Sequence, residues 1–191
     1  MKLKLSAFLV LVVLSLSSSA QLSKKTWLIG GNFNYSKELG YQGDGQMKQN
    51  LLLSSNVGYF PWDRVCVGVK LDGRFSKTTL NVGNGGKSKH FTTDFGVGPF
   101  ARYYILPDNK KVNFLVEANA VYYRASFKTN GSTDYRNKYL QYEALLGPEV
   151  FLSKNVGLEV LAGYHQYKNL DTWTNMRTFQ VKVGFQIHLS K

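Results

Sequence analysis

The sequence predicts an all-β protein, an eight-stranded antiparallel up-and-down transmembrane β-barrel, and three observations predict it. From Lys25 onward, apolar and polar residues alternate with the period of two that is typical of strands. Short and long connections also alternate along the chain, as they do in membrane barrels. The polar face of the strands is rich in glycine and carries charges of both signs, which suits an enclosed lumen better than a wet surface.

The beginning of the chain is predicted to be a signal peptide and not part of the barrel. Two lysines precede an apolar run over 5–16, and small residues end at Ala20. This order is that of a secretory signal cleaved after Ala20. The sequence therefore divides into a signal peptide over 1–20 and an outer-membrane β-barrel domain over 21–191. A single cysteine, Cys66, permits no internal disulfide.

Eight strand-like runs make up most of the predicted domain. They cover 26–36, 47–59, 65–75, 91–104, 112–125, 139–152, 156–167 and 176–189. Short connections lie at 60–64, 105–111 and 153–155, and longer connections rich in Gly, Asn, Ser, Thr and Lys lie at 37–46, 76–90, 126–138 and 168–175. This alternation predicts short periplasmic turns and long extracellular loops, with both chain ends on the short-turn side.

The polar face of these runs is predicted to line the lumen. Its glycines would make room for long side chains opposite, because an eight-stranded barrel is only wide enough for side chains to fill. Enclosed charges must pair, since an unpaired one costs several kcal/mol. We therefore expect a polar network in the lumen, paired near mid-depth. Its predicted members are Lys70, Asp72, Arg74, Asp94, Arg102, Glu117, Glu143, Glu149, Glu159 and Lys182.

The outward face is predicted to contact lipid. Aromatic residues gather near the strand ends, as in the girdles of membrane barrels, and they include Phe60, Trp62, Tyr104, Tyr123 and Tyr139. The rival interpretation is a soluble lipocalin-like barrel, with apolar residues inside and charges outside. That class usually has glycine two residues before the tryptophan of its first strand, where this chain has Lys25 before Trp27.

On these stretches the chain resembles the small outer-membrane β-barrel proteins of the OmpA/OmpX type. The residues that carry the resemblance are Asn56–Phe60, the turn with Asp63, Val67-Gly68, and Gly98–Tyr104 (GPFARYY). The resemblance covers about 22–191 and implies the outer membrane of a Gram-negative bacterium, with lipopolysaccharide outside. It departs from the family at the end, where Ser190 and Lys191 follow Leu189 in place of a terminal aromatic residue.

Few residues indicate chemistry, and we expect neither an enzyme nor a bound cofactor or metal. GGKS at 85–88 lacks the earlier glycine and the helix of a phosphate-binding loop. The three histidines, His90, His165 and His188, are too scattered to predict a metal site. No nucleophile, base and orienting residue occur in a recognisable pattern.

The predicted long loops are basic, and this carries the functional hypothesis. The candidate anion contacts are Lys77, Lys87, Lys89, Lys128, Arg136 and Lys138. Cations at the outer headgroup level suit lipopolysaccharide phosphates. The hypothesis is a monomeric structural or interaction protein that contacts outer-membrane lipid, lipopolysaccharide and an extracellular protein or polyanion, but no nucleic acid. The alternatives are an ion or small-solute pore of low conductance and, lower, a lipid-modifying barrel enzyme.

Overall fold

Strands that alternate apolar and polar residues pair side by side here until the sheet closes on itself. The computed structural model describes residues 22–39, 47–82, 86–107, 110–129, 132–170 and 175–190. The predicted signal peptide over 1–20 lies outside these residues. The strands are β1 (Trp27–Leu39), β2 (Met47–Trp62), β3 (Val65–Val82), β4 (Gly86–Tyr104), β5 (Val112–Thr129), β6 (Ser132–Phe151), β7 (Val156–Asn169) and β8 (Asn175–Leu189). Each pairs antiparallel with its sequence neighbours, and β1 pairs with β8 to close the barrel.

The strand limits predicted from the sequence are too short on the side of the long connections. β3 and β4 stay paired as far as Val82 and Gly86, and β5 and β6 as far as Thr129 and Ser132. Polar residues there mark the end of the lipid-facing wall, but they continue the backbone ladder beyond it. Much of the sequence assigned to loops is therefore strand, and the candidate basic residues lie on two paired hairpins, β3–β4 and β5–β6.

The side chains of the barrel divide by parity as the alternation predicts. On β3, Val67, Val69 and Leu71 are about half exposed, whereas Lys70 and Asp72 are buried. Exposed apolar residues also line the wall on the other strands, with Phe185 on β8 an example. An apolar wall of this kind around a charged interior is the pattern of a barrel in a membrane.

The lumen also holds apolar and aromatic layers that the sequence interpretation placed on the outer wall. Phe60, Tyr104, Tyr123 and Tyr139 were predicted to belong to the lipid-facing girdles, but all four are buried inside. Phe60 and Tyr104 belong to an apolar cluster near the short turns, together with Cys66 and Phe151. Proximity to a strand end does not determine which way a side chain points, so this part of the girdle prediction is wrong.

Glycine makes room for two of the large inward side chains. A Cβ at Gly96 would lie 2.6 Å from a ring carbon of Tyr123, and a Cβ at Gly157 would lie 1.9 Å from a carboxylate oxygen of Glu149. The Tyr123 ring and the Glu149 carboxylate therefore occupy space that is free only because these two residues have no Cβ. This arrangement agrees with the reason given above for glycine on the inward face.

The residues before β1 close the short-turn end of the barrel. Leu22 is fully buried, and its carbonyl accepts a 2.8 Å hydrogen bond from the amide of Arg64. The Lys24 amide donates to Asp63 Oδ1 at 2.8 Å in the same turn. The lumen is thus covered from this side by the chain's own first described residues.

Candidate functional site

The centre of the lumen is an ion-pair network around Glu117 and Arg102. Lys70 Nζ and Arg102 Nε donate to the two carboxylate oxygens of Glu117. The other guanidinium nitrogens of Arg102 donate to Glu159 at 2.8 and 3.2 Å. The side chains of all four are at most 2% exposed. Four predicted network members are therefore brought together, with the arginine bridging two carboxylates.

A second part of the network is built around Glu143. Lys182 Nζ donates to both of its oxygens, at 2.7 and 2.8 Å. The side-chain amides of Gln141, Gln180 and Asn119 donate to the same carboxylate at 2.7, 2.7 and 2.8 Å. Asn119 also donates to Glu117 at 3.0 Å, which connects the two parts.

Two further predicted members, Asp72 and Asp94, bind hydroxyl groups in an aromatic layer. Asp72 accepts from Tyr123 and, at 2.5 Å, from Ser54, whereas Asp94 accepts from Tyr139 at 2.6 Å. The two tyrosine rings stack with their centroids 4.7 Å apart. This layer crosses the lumen on the long-loop side of the ion pairs.

Arg74 lies beside this layer and is the least enclosed member of the network. It donates to the Tyr139 hydroxyl at 3.1 Å and to Gln141 at 3.2 Å, and its guanidinium lies 3.7 Å from Asp94. Its side chain is 26% exposed, compared with 6% for Asp94. Arg74 therefore forms the boundary between the enclosed network and the outer opening.

Glu149 is the one predicted network member that joins neither the central network nor the aromatic layer. It accepts from the Tyr104 hydroxyl and faces His188 Nε2, each at 2.8 Å, at the short-turn end. Sequence reasoning assigned His188 and Tyr104 no such role, although the parity of His188 already placed it inside. Which residues meet across a lumen depends on the barrel geometry, which no local pattern contains.

The outer wall above the lipid-facing band carries cations. Lys87, Lys89, Lys128, Arg136 and Lys138 are exposed on β4, β5 and β6, and the ammonium of Lys77 lies 5.8 Å from the centre of the Phe91 ring. All six predicted anion contacts are thus on strands that continue beyond the membrane band. Arg124 is exposed on the same wall, but the sequence analysis missed it because it falls inside a predicted strand. Its outward position, two residues after Tyr122 on the same face, could have identified it.

The described acidic side chains are distributed in the opposite way. Asp72, Asp94, Glu117, Glu143, Glu149 and Glu159 are buried in the lumen, and Asp63 lies at a short turn. Among the residues whose side chains the structure describes, none on the outer wall is acidic. The wall at the long-loop side is therefore positively charged over its described part.

Ser88, His90 and Thr129 are arranged like the nucleophile, base and third residue of a catalytic triad. Ser88 Oγ lies 3.2 Å from His90 Nε2, and Thr129 Oγ1 lies 3.1 Å from His90 Nδ1. A neutral threonine cannot stabilise an imidazolium as a carboxylate would. Within the described ranges no three His, Cys, Asp or Glu side chains are placed to hold a metal ion. No helix in that part of the chain is long and apolar enough to span a membrane.

Comparisons with known proteins give the family. The family of the outer membrane protein beta-barrel domain matches residues 6–191. OprG of Pseudomonas aeruginosa is 12% identical over 91% of this chain and 100% of that one, with a TM-score of 0.53. The β-barrel domain of OprF from the same organism is 13% identical, over 87% and 98%, with a TM-score of 0.48. No curated protein matches the chain. The chain belongs to the outer membrane protein beta-barrel domain family and resides in the outer membrane of a Gram-negative bacterium.

Proposed function

We propose that this barrel is a structural and interaction protein that binds the phosphate groups of lipopolysaccharide through the cations of its outer wall. The observation that carries the proposal is the segregation of charge. Described acids are inside or at a short turn, and the outer wall displays lysine and arginine. Multivalent anions at the membrane surface are the chemistry that such a surface recognises.

The contents of the lumen favour this function over a pore. The Arg102 ion pairs, the stacked tyrosines and the apolar cluster near the short turns occupy successive depths of a narrow barrel. Opening an ion path would require buried pairs to separate, which costs several kcal/mol. The Ser88–His90–Thr129 group supports a lipid-modifying enzyme only weakly, because its third member is not a carboxylate.

Reversing charges on the outer wall tests the proposal. The double variant Lys128→Glu/Arg136→Glu should bind lipopolysaccharide about tenfold more weakly or worse, because each contact is a charge-assisted hydrogen bond and about 1.4 kcal/mol corresponds to tenfold. The measurement is surface plasmon resonance on the purified barrel in nanodiscs, at low and high salt. Binding by the parent should weaken as salt screens the phosphates.

The matched control carries the same change of charge at the opposite end. Lys110→Glu/Lys154→Glu alters two exposed lysines near the short turns and should leave binding unchanged. Heat-dependent mobility on gels verifies that each variant is folded. Equal loss in both double variants would contradict the proposal, because the position of the cations would then be irrelevant. Loss in neither would also contradict it, because Lys128 and Arg136 would then contribute nothing to binding.

A further inference from the structure

An apolar groove lies on the outer wall just below the cations. It has a volume of about 830 Å³, and it is lined mainly by outward-facing residues of β2 to β5. Phe75 and Phe95 line it and contact each other edge to face, with ring centroids 6.0 Å apart. Leu53 and Leu71 are about half exposed beside them, and Arg124 is at one side.

Gly73, the outward-facing glycine of β3, also lines the groove. The three atoms nearest to a Cβ there would belong to aromatic rings, at 3.3 and 3.6 Å for Phe75 and 4.0 Å for Phe95. The Phe75 ring therefore lies close against the glycine. The lack of a side chain at this position lets that ring lie low on the wall, beside the groove.

The strand register places this glycine in one row with a cation. Gly73 is the partner of Phe95, and Phe95 is the partner of Arg124. Neighbouring strands are about 4.8 Å apart, so Arg124 lies about 10 Å from the glycine along the row. A ligand with an apolar part and a charged part could contact both at once.

The depth of the groove is set by the order of outward residues along each strand. On β5 the outward positions change from Tyr122 to Arg124 and then reach Lys128. On β3 the first outward cation is Lys77, four residues beyond Gly73. The groove is thus in the outer half of the lipid-facing band, and Arg124 is at the level where that band ends.

Further cations lie above Arg124. Arg136 is opposite Ser126 on the neighbouring strand, between Arg124 and Lys128 along the wall. All three are exposed, and no acidic side chain is described near them on this wall. Several cations spaced over two strands fit a ligand with more than one phosphate better than a headgroup with a single phosphate.

We propose that this groove is a discrete binding site for the lipid A part of lipopolysaccharide. One acyl chain lies in the groove against Leu53, Leu71 and Phe95, and a lipid A phosphate binds Arg124, with Arg136 and Lys128 above it. This inference rests on the proposed function and deepens it. The barrel would hold a particular lipid molecule at one place on its wall, in addition to attracting phosphates generally.

Filling the groove and removing its cation test the site. Native mass spectrometry of the barrel, released from nanodiscs that contain purified lipid A and phosphatidylcholine, counts the retained lipid. The parent should retain one lipid A molecule. Gly73→Leu, whose side chain would displace the Phe75 ring toward the groove, and Arg124→Gln, which removes the charge, should each lower the retained fraction about tenfold, which is the loss of one good contact.

Two matched controls make the same kinds of change elsewhere on the wall. Ala144→Leu adds an outward leucine away from the groove, and Arg177→Gln removes an exposed arginine on β8. Both should retain lipid A as the parent does. Arg124→Gln alters only an exposed side chain, so it tests the site even if Gly73→Leu folds poorly. The parent should retain dephosphorylated lipid A as weakly as Arg124→Gln retains intact lipid A.

The outcomes separate this site from the general function. If Gly73→Leu and Arg124→Gln retain lipid A like the parent while Lys128→Glu/Arg136→Glu loses it, the groove is refuted and the proposed function stands. If the parent retains phosphatidylglycerol as well as lipid A, when nanodiscs carry phosphatidylglycerol in place of lipid A, the assignment to lipid A is overturned. If all these variants bind like the parent, both proposals are wrong.

Discussion

Replacing Glu117 with alanine will lower the free energy of unfolding of the barrel by about 3–5 kcal/mol, the cost of breaking a buried ion pair from one side. Glu117 is the carboxylate that Lys70 contacts directly, and it is one of two that Arg102 contacts. Both cations would remain enclosed without it, away from bulk water. Denaturant unfolding of the barrel in lipid vesicles, followed by heat-dependent mobility on gels, measures the change.

Two comparisons test whether the loss of stability comes from the buried charge. Val116→Ala truncates the neighbouring outward residue, which is 45% exposed, and should cost about 1 kcal/mol or less. Adding Lys70→Met to Glu117→Ala removes one of the stranded cations and should recover part of the loss, because contacting residues are not additive. A Glu117→Ala barrel that unfolds at the parent's denaturant concentration would refute the enclosed network.

The pair of Glu143 and Lys182 should respond asymmetrically to the loss of either partner. In Glu143→Ala, Lys182 loses both oxygens to which it donates, and we expect a cost of about 3–5 kcal/mol. In Lys182→Met, Glu143 still accepts from Gln141, Gln180 and Asn119. Because hydrogen bonds to a carboxylate stabilise its charge, this variant should cost only about 1–3 kcal/mol.

The same unfolding assay measures this difference. A Glu143→Ala/Lys182→Met barrel should be more stable than Glu143→Ala alone, because it no longer contains the stranded cation. Equal losses in the two single variants would show that the three amides do not support the carboxylate. A larger loss for Lys182→Met would contradict the hydrogen-bonding pattern outright.

The sequence predicts which residues face inward but not which of them meet. The period of two places Lys70, Glu117 and Lys182 on the polar face, and the glycines and mixed charges of that face predict that it lines the lumen. Partners across the lumen depend on the stagger of the strands, which local patterns do not contain. Glu149 therefore meets His188 at the short-turn end, and not an arginine or lysine at mid-depth.

The true ends of the strands and the groove on the outer wall could not be predicted from the sequence, for related reasons. Polarity marks where the lipid-facing wall ends, whereas the backbone ladder of β3 and β4 continues to Val82 and Gly86. The groove depends on Gly73, Phe95 and Arg124 lying in one row, although they are far apart in the chain. Their alignment exists only once the strands are in register.

The central claim is that valines face lipid while charges are enclosed, and nitroxide labels on the wall test it most directly. Val69, Val97 and Val183 are each about half exposed on different strands and can be replaced singly by labelled cysteine in a Cys66→Ser background. In vesicles, electron paramagnetic resonance should find each label accessible to dissolved oxygen and shielded from a water-soluble nickel reagent. Labels that contact the nickel reagent freely, or neither reagent, would contradict the account, because these valines would then face water or an apolar interior.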